Sequence, residues 1–278
     1  MADLEPMTAD HLDAAAALST AEEWPHRPAD WDFLFALGRG FVAVERGAVV
    51  GTVSWWPFGA FDASIGMLVV RRSGRGRGLG RRLMDRVATA AGGRRLHLVA
   101  TADGLPLYER LGFRVSGTVV KHEGLARAPA HGGTTDVGVR EFTAGDLADV
   151  VALDRAACGM DRSALLRALV VTADVRVSRA GGDVAGYGVC RASGRDLVIG
   201  PVVGRAEMDA RALVSALLTT AAGRFVRIDV PQATGLSGWL QGVGLEAVSQ
   251  ATTMVQSPSP LPPTGPAKRW ALANQALG

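Results

Sequence analysis

Cysteine and lysine are close to absent from this chain of 278 residues: Cys158 and Cys190 are its two cysteines, and Lys121 and Lys268 its two lysines. Two cysteines cannot build a disulfide framework or a cysteine-rich zinc site. No apolar run approaches the roughly 20 residues that a bilayer-spanning helix needs. The acidic segment Met1–Asp10 has no basic region followed by an apolar block, so no secretory signal is expected. Tyrosine is scarce, with 2 residues, and aromatics make up 6% of the chain. The five histidines, His11, His26, His97, His122 and His131, show no metal-ligand spacing, and no metal is expected. These absences predict a protein of the reducing cytosol, in contact with no membrane.

What is present is apolar bulk and arginine. Hydrophobic residues form 48% of the chain, enough for packed cores, and the length suits one large domain or two small ones. With two lysines among 30 basic residues, arginine supplies the rest, and 27 acids bring the net charge to only +3. Four landmarks recur at a nearly constant interval. VVGTVSWW around Gly51 matches DVAGYGVC around Gly186, and the strand ending at Val70 matches the one ending at Val203. RRLHLVAT matches RFVRIDVP, and LYERLGF around Gly112 matches WLQGVGL around Gly244. A fixed offset over several landmarks is the mark of an internal repeat. The expected organisation is a domain over 1–123, a linker over 124–138, a second domain over 139–255, and a proline-rich segment with a helical tail over 256–278. Apolar runs and helical stripes alternate, so each domain should be α/β, a mixed sheet flanked by helices.

The stretch LVVRRSGRGRGLGRR, Leu68 to Arg82, carries the chemistry. A strand runs into a glycine-rich turn and then into a helix with an apolar stripe at Leu79, Leu83, Val87 and Ala91. Glycines let the backbone approach a ligand, and the free N–H groups of a helix start attract an anion, here a diphosphate. A P-loop needs G-x-x-x-x-G-K-[ST], and lysine is missing; a dinucleotide fingerprint needs G-x-G-x-x-G, whereas Gly76, Gly78 and Gly80 are spaced G-x-G-x-G. Nucleic-acid binding is a weaker reading, because no Phe, Trp or Tyr lies between Asp62 and Leu107 to stack on bases.

Strand, R-x-x-G-x-G, helix, second strand and then LYERLGF together resemble the GNAT superfamily of acetyl-CoA-dependent N-acetyltransferases, most closely over Phe41 to Phe113. The resemblance implies two tandem GNAT-like domains and acetyl-CoA as co-substrate. It implies that Arg75, Gly76, Arg77, Gly78, Leu79, Gly80 and Arg81 hold the pyrophosphate. Leu68, Val69 and Val70 would pair with the pantetheine arm, and Tyr108 would lie near the sulfur and protonate the departing thiolate. One departure stands out: where many relatives carry an asparagine after the second strand, this chain reads Ala102-Asp103-Gly104.

Asp62, Glu22 and Glu23 are the candidates for a general base acting on the amine. Trp24, Trp31 and Trp56 are candidates for the acceptor-pocket wall, core packing being the equal alternative for each. In the second domain Met208, Arg211 and Leu213 align with Arg75, Gly78 and Gly80, and Leu240 aligns with Tyr108, so that copy should bind no coenzyme. The expected acceptor is a primary amine of a small molecule or peptide, the expected state a monomer or homodimer. A coenzyme-A-binding sensor without catalysis remains the rival function.

Overall fold

The structure is a computed structural model, and it describes residues 2–128, 138–256 and 265–278. The central part of the linker, 129–137, and of the proline-rich segment, 257–264, lie outside the described residues. The chain opens with strand β1 (Asp3–Pro6), helices α1 (Leu12–Ala21) and α2 (Pro28–Leu37), and strands β2 (Arg39–Glu45), β3 (Ala48–Phe58) and β4 (Asp62–Val70). Helix α3 (Leu79–Ala91), β5 (Arg95–Ala100), α4 (Leu105–Arg110) and β6 (Arg114–Leu125) complete the first repeat. The second copies it element for element: β7 (Gly138–Glu141), α5 (Leu147–Cys158), α6 (Ser163–Thr172), β8 (Asp174–Ala180), β9 (Asp183–Ser193), β10 (Asp196–Gly204), α7 (Glu207–Thr220), β11 (Phe225–Pro231), α8 (Ser237–Gly242) and β12 (Glu246–Gln256).

All these strands join one sheet in the order β1-β2-β3-β4-β5-β12-β6-β11-β10-β9-β8-β7. The repeats have exchanged their last strands. Strand β12 pairs with β5, Met254 lying opposite Leu98, while β6 pairs with β11, His122 opposite Ile228. This corrects the expected boundaries, since most of β6 falls within 1–123 in sequence but the strand completes the sheet of the second repeat. The two final strands follow equivalent elements, and a strand's residue pattern specifies a sheet edge without specifying whose edge it is. Gly124 and Leu125, assigned to the linker, are the end of β6.

Three apolar clusters hold the sheet. On one face α3 and α4 of the first repeat, and separately α7 and α8 of the second, cover their own strands. On the other face a single cluster is shared, with Trp31, Leu34 and Trp56 from the first repeat and Leu153, Leu166 and Tyr187 from the second. The tail packs on both faces, Ala267, Ala273, Ala276 and Leu277 in this cluster and Trp270 and Ala271 in that of the second repeat, and not as the expected helix. Lys268–Ala271 forms strand β13, antiparallel to β10, and Trp270, Ala271, Leu272, Ala273 and Leu277 are buried. The free hydrogen-bonding edge of β10 decides the matter, because an extended segment can satisfy it and a helix cannot.

Two groups noted in the sequence are core. His122 is fully buried, bonded to Ser237 Oγ at 2.7 Å and the Leu245 carbonyl at 3.0 Å. Burial pushes the Cys190 thiol up to about 12, where no reactive thiolate forms.

Candidate active site

In the first repeat β4 and β5 run parallel only from Asp62–Ile65 against Arg95–Leu98, and beyond that point they part. The divergence starts at a bulge. The register against β3 shifts between Thr52 and Ser54, and Met67 there takes a left-handed backbone with φ 53°. The Thr52 hydroxyl donates to the Met67 carbonyl at 2.8 Å and fixes this conformation, which is strained for a residue with a side chain. A bulge leaves backbone polar groups outside the ladder, so the strand offers them to the wedge between β4 and β5.

That wedge is a cleft of about 560 Å³ lined by Leu68, Val69, Val70, Arg75, Gly76, Gly78, Leu79, Gly80, Arg81 and Tyr108. These residues come from separate parts of the fold, yet they share one surface. Gly76 (φ 76°) and Gly78 (φ 75°) are both left-handed, and Gly78 caps α3. The first α3 bond runs from Arg82 N to the Gly78 carbonyl at 3.1 Å. The N–H groups of Leu79, Gly80 and Arg81 therefore have no helical acceptor and suit a diphosphate. Arg77 is the exception among the expected ligands: its guanidinium turns to Glu45 (3.1 Å) and lines a different cavity of about 290 Å³ with Arg71 and Arg82.

Tyr108 stands on the opposite wall, held edge-on by Phe113 with ring centroids 5.9 Å apart. Its ring lies across Gly104, where a Cβ would come within 2.9 Å of Cε2. The glycine of Ala102-Asp103-Gly104 thus makes room for the tyrosine. Burial raises the phenol to about 12, so it keeps its proton throughout the neutral range.

A second cavity, about 390 Å³, meets the first at Gly66, Met67, Val99, Thr101 and Trp24. It is walled by both repeats: Glu23 and His26 from the first, Lys121 and Glu123 from β6, Ser193–Val198 and Arg227 from the second, Ser249–Ala251 from β12 and Asn274–Ala276 from the tail. The His26 Nδ1 atom is buried with no hydrogen-bond partner among the described residues. Burial lowers the His26 pKa to about 4, against the pull of Asp30 and with the help of Arg227 and Arg191. The folded protein therefore declines a proton that the unfolded chain accepts below about 6.5, and stability falls as the pH drops from 6.5 towards 4. His26→Asn is expected to remove about 3 kcal/mol of this acid sensitivity, read as the difference between urea midpoints at pH 7 and pH 4. An equal gap between variant and wild type at both pH values would contradict it.

The candidate bases separate. Asp62 is withdrawn from both cavities: it is 2% exposed and holds Arg95 in a two-pronged pair (2.8 and 2.6 Å) with His97 Nε2 at 2.8 Å. Strand β4 places it at the end opposite Leu68–Val70, a separation that sequence nearness conceals. Glu22 faces the cradle, but its Oε2 accepts from Arg75 Nη2 (2.5 Å) and Arg72 Nε (3.3 Å). It orients the arginines and opposes an incoming anion. Glu22→Gln is expected to tighten coenzyme A binding a few-fold in calorimetry, the scale of one exposed ion pair; weaker binding would mean the pair is needed to hold Arg75 in place. Of the three candidates Glu23, just past the end of α1, is the one that lines the second cavity.

Its backbone is unusual as well. Helix α1 ends with Trp24 N bonded to the Ser19 carbonyl and Glu23 N to that of Thr20, the Schellman pattern, and Glu23 sits at φ 63° where glycine is the ordinary choice. Of the tryptophans, Trp24 is half-buried on both cavities and stacks at a tilt on His26, 5.7 Å between centroids. Trp31 and Trp56 belong to the core instead, their indole N–H groups bonded to Ser19 Oγ (3.1 Å) and the Leu34 carbonyl (2.8 Å). Ring size and an apolar neighbourhood favour burial on the shared face, and the pattern of residues could not separate the two roles.

The second repeat has no cradle. Eight residues separate β4 from α3, but only Arg205 and Ala206 separate β10 from α7. Met208, Arg211 and Leu213, aligned above with the cradle, lie within α7, whose first turn carries Glu207 and Asp209. The Asp209 carboxylate accepts from Ala206 N at 2.9 Å, so an acid of the chain already occupies the helix start. Leu240 is a buried residue of α8.

Residues 36–115 and 150–265 each match the acetyltransferase (GNAT) domain family. The uncharacterized N-acetyltransferase YitH of Bacillus subtilis is 28% identical over 276 residues, covering 97% of this chain and 96% of its own. Among solved structures, a candidate acetyltransferase of Pyrococcus horikoshii superposes with a TM-score of 0.83 at 19% identity, over 100% of this chain and 96% of that one. A tandem GNAT protein from the clavulanic acid biosynthesis pathway gives 0.62 at 17% identity, over 94% and 99%.

Proposed function

The chain belongs to the GNAT family of N-acetyltransferases, with two such domains in tandem, and on that footing we propose that its first repeat transfers the acetyl group of acetyl-CoA to the primary amine of a small molecule held between the repeats. Enzymes of this family draw on acyl-CoA and act on small-molecule or peptide acceptors. The observation that carries the narrower reading is the junction of two cavities at Gly66 and Met67, one lined by the glycine cradle and Tyr108, the other by Glu23 and His26. A cavity of about 390 Å³ is of the size that encloses a small ligand.

The co-substrate supplies an activated thioester; the residues of the chain position and assist it. Backbone N–H groups at the start of α3 bind the diphosphate. Backbone N–H groups on the wedge side of Leu68–Val70 would meet the thioester carbonyl, where negative charge develops during attack. An alkyl amine with a pKa near 10 is about one part in a thousand neutral at pH 7, so a carboxylate that receives the ammonium and draws off its proton speeds attack. Glu23 fills that role. Tyr108 carries the proton that the departing sulfur takes, and the burial that raises the phenol also raises the proton affinity of a thiolate beside it.

The direct experiment is thiol release from acetyl-CoA over a panel of alkyl, aryl and amino-acid amines. Turnover of at least one small amine is expected; tight coenzyme binding with no turnover of any amine would favour the sensor. Glu23→Gly separates role from structure, because glycine suits the left-handed position. The variant is expected to be about 1 kcal/mol more stable yet about 10²-fold slower in kcat/KM. A gain in stability with undiminished turnover would remove Glu23 from the mechanism.

A further inference from the structure

Glycine occupies the equivalent position at the point of strand divergence in both repeats, Gly66 in β4 and Gly200 in β10, and the same short segment of chain lies against each. A Cβ at Gly66 would come within 2.8 Å of Ala276 Cβ, and one at Gly200 would collide with the Leu272 carbonyl oxygen. Strands β10 and β11 run parallel from Leu197–Ile199 against Val226–Ile228 and then part, as β4 and β5 do. In the second repeat the wedge is filled. Strand β13 pairs with β10 at Val202, Val203 and Gly204, and Leu272 N donates to the Asp229 carbonyl of β11 at 2.8 Å. The Trp270 indole N–H reaches the Gly204 carbonyl at 3.1 Å. Residues 268–272 thus bridge the two strands whose counterparts in the first repeat enclose the coenzyme cleft.

From that wedge the segment passes to the first repeat. Ser64 Oγ donates to the Ala276 carbonyl at 2.5 Å, next to Gly66 and the Met67 bulge. Asn274 Oδ1 accepts from the N–H groups of Ala276 and Leu277 and fixes the turn that brings them there. Gln275 Nε2 donates to Asp229 Oδ1 at 3.0 Å, a carboxylate that Arg227 also grips, so a residue of the cavity wall is tied to the second repeat.

We propose that residues 268–272 are an internal occupant of the second repeat's strand wedge, and that by lying there they hold residues 274–276 as the wall that selects the acceptor amine of the first repeat. The second repeat is in this view the holder of the acceptor pocket, and a single acyl-CoA binds per chain. The inference rests on the acetyl-transfer reading above and adds which residues govern the choice of amine.

Three measurements on the full chain test it. Calorimetric titration of the wild type with acetyl-CoA should give one site; two sites would overturn the proposal, and none would overturn the acetyl-transfer reading and this one with it. Gln275→Ala is expected to change the ratio of kcat/KM between a short amine, ethanolamine, and a bulky one, tryptamine, by about tenfold, with the acetyl-CoA Kd within twofold of wild type. Gly200→Ala lies in the other repeat and touches the segment at Leu272 and Ala273, short of the wall residues 274–276, yet should shift the same ratio and again spare the coenzyme. An unchanged ratio in Gln275→Ala would overturn the proposal; should Gly200→Ala fold poorly, the Gln275 result decides. Failure of the wild type to turn over any amine would instead count against the parent reading.

Discussion

Tyr108→Phe is expected to lower kcat about 10²-fold while leaving the dissociation constant for acetyl-CoA unchanged. The substitution removes only the hydroxyl. The ring that lies across Gly104 and meets Phe113 edge-on is retained, so the cleft keeps its shape. In the proposed mechanism coenzyme affinity comes from the cradle and the edge of β4, and the phenol supplies only a proton. Loss of turnover with intact binding would assign the proton to Tyr108, whereas a matching loss of affinity would make it a binding residue. With the phenol raised to about 12, wild-type kcat should show no alkaline decline from this group below about pH 11. A decline that is centred near pH 9 and vanishes in Tyr108→Phe would contradict the burial argument.

The second large effect concerns stability. Asp154→Ala is expected to cost about 3–5 kcal/mol and lower Tm by about 10 °C, measured by urea and thermal unfolding. Asp154 is fully buried between α5, α6 and β9. It accepts from Arg162 Nε and Nη2 (3.0 and 2.5 Å) and from the Tyr187 hydroxyl (2.5 Å). Burial works against the Arg162 charge, and the Asp154 carboxylate more than offsets it, holding that guanidinium well above its ordinary range. Without the acid, a charge stays in an apolar core with no counter-ion. Asp154→Ala combined with Arg162→Met should recover most of the loss, because removing both charges is far cheaper than stranding one. A single variant that loses less than 1 kcal/mol would show that water reaches the site. Arg162 Nη1 also donates to the Gly278 main-chain oxygen at 2.5 Å, so the same network anchors the far end of the segment that walls the second cavity.

The internal repeat was legible because local patterning repeats with the fold: each β-α unit encodes its own hydrophobic period, and α3 buries the stripe read from its sequence, Leu79, Leu83, Val87 and Ala91. The glycine turn was legible too, since left-handed backbone at Gly76 and Gly78 leaves a compositional trace. Arg77 shows the limit, as its backbone belongs to the turn but its side chain follows Glu45, a residue of another strand. Asp62 was misplaced, and Trp56 left open between pocket and core, for one reason: the distance of a side chain from a site depends on where along a strand and on which face it falls. His26 and Gln275 left no signal of their own, and the equivalence of Gly66 and Gly200 emerges only where the two parallel strand pairs part.

The amino-acid sequence by itself determined the two β-α repeats, the strand-turn-helix cradle in the first and its lack in the second, because these depend on interactions between near neighbours along the chain. Only the tertiary structure decided that β6 and β12 change places, that residues 268–272 enter the second wedge, and that one cavity draws on both repeats and the tail. Free sheet edges are chemically alike, so the choice among them falls to the packing of the shared core, where side chains remote in sequence must fill one volume together.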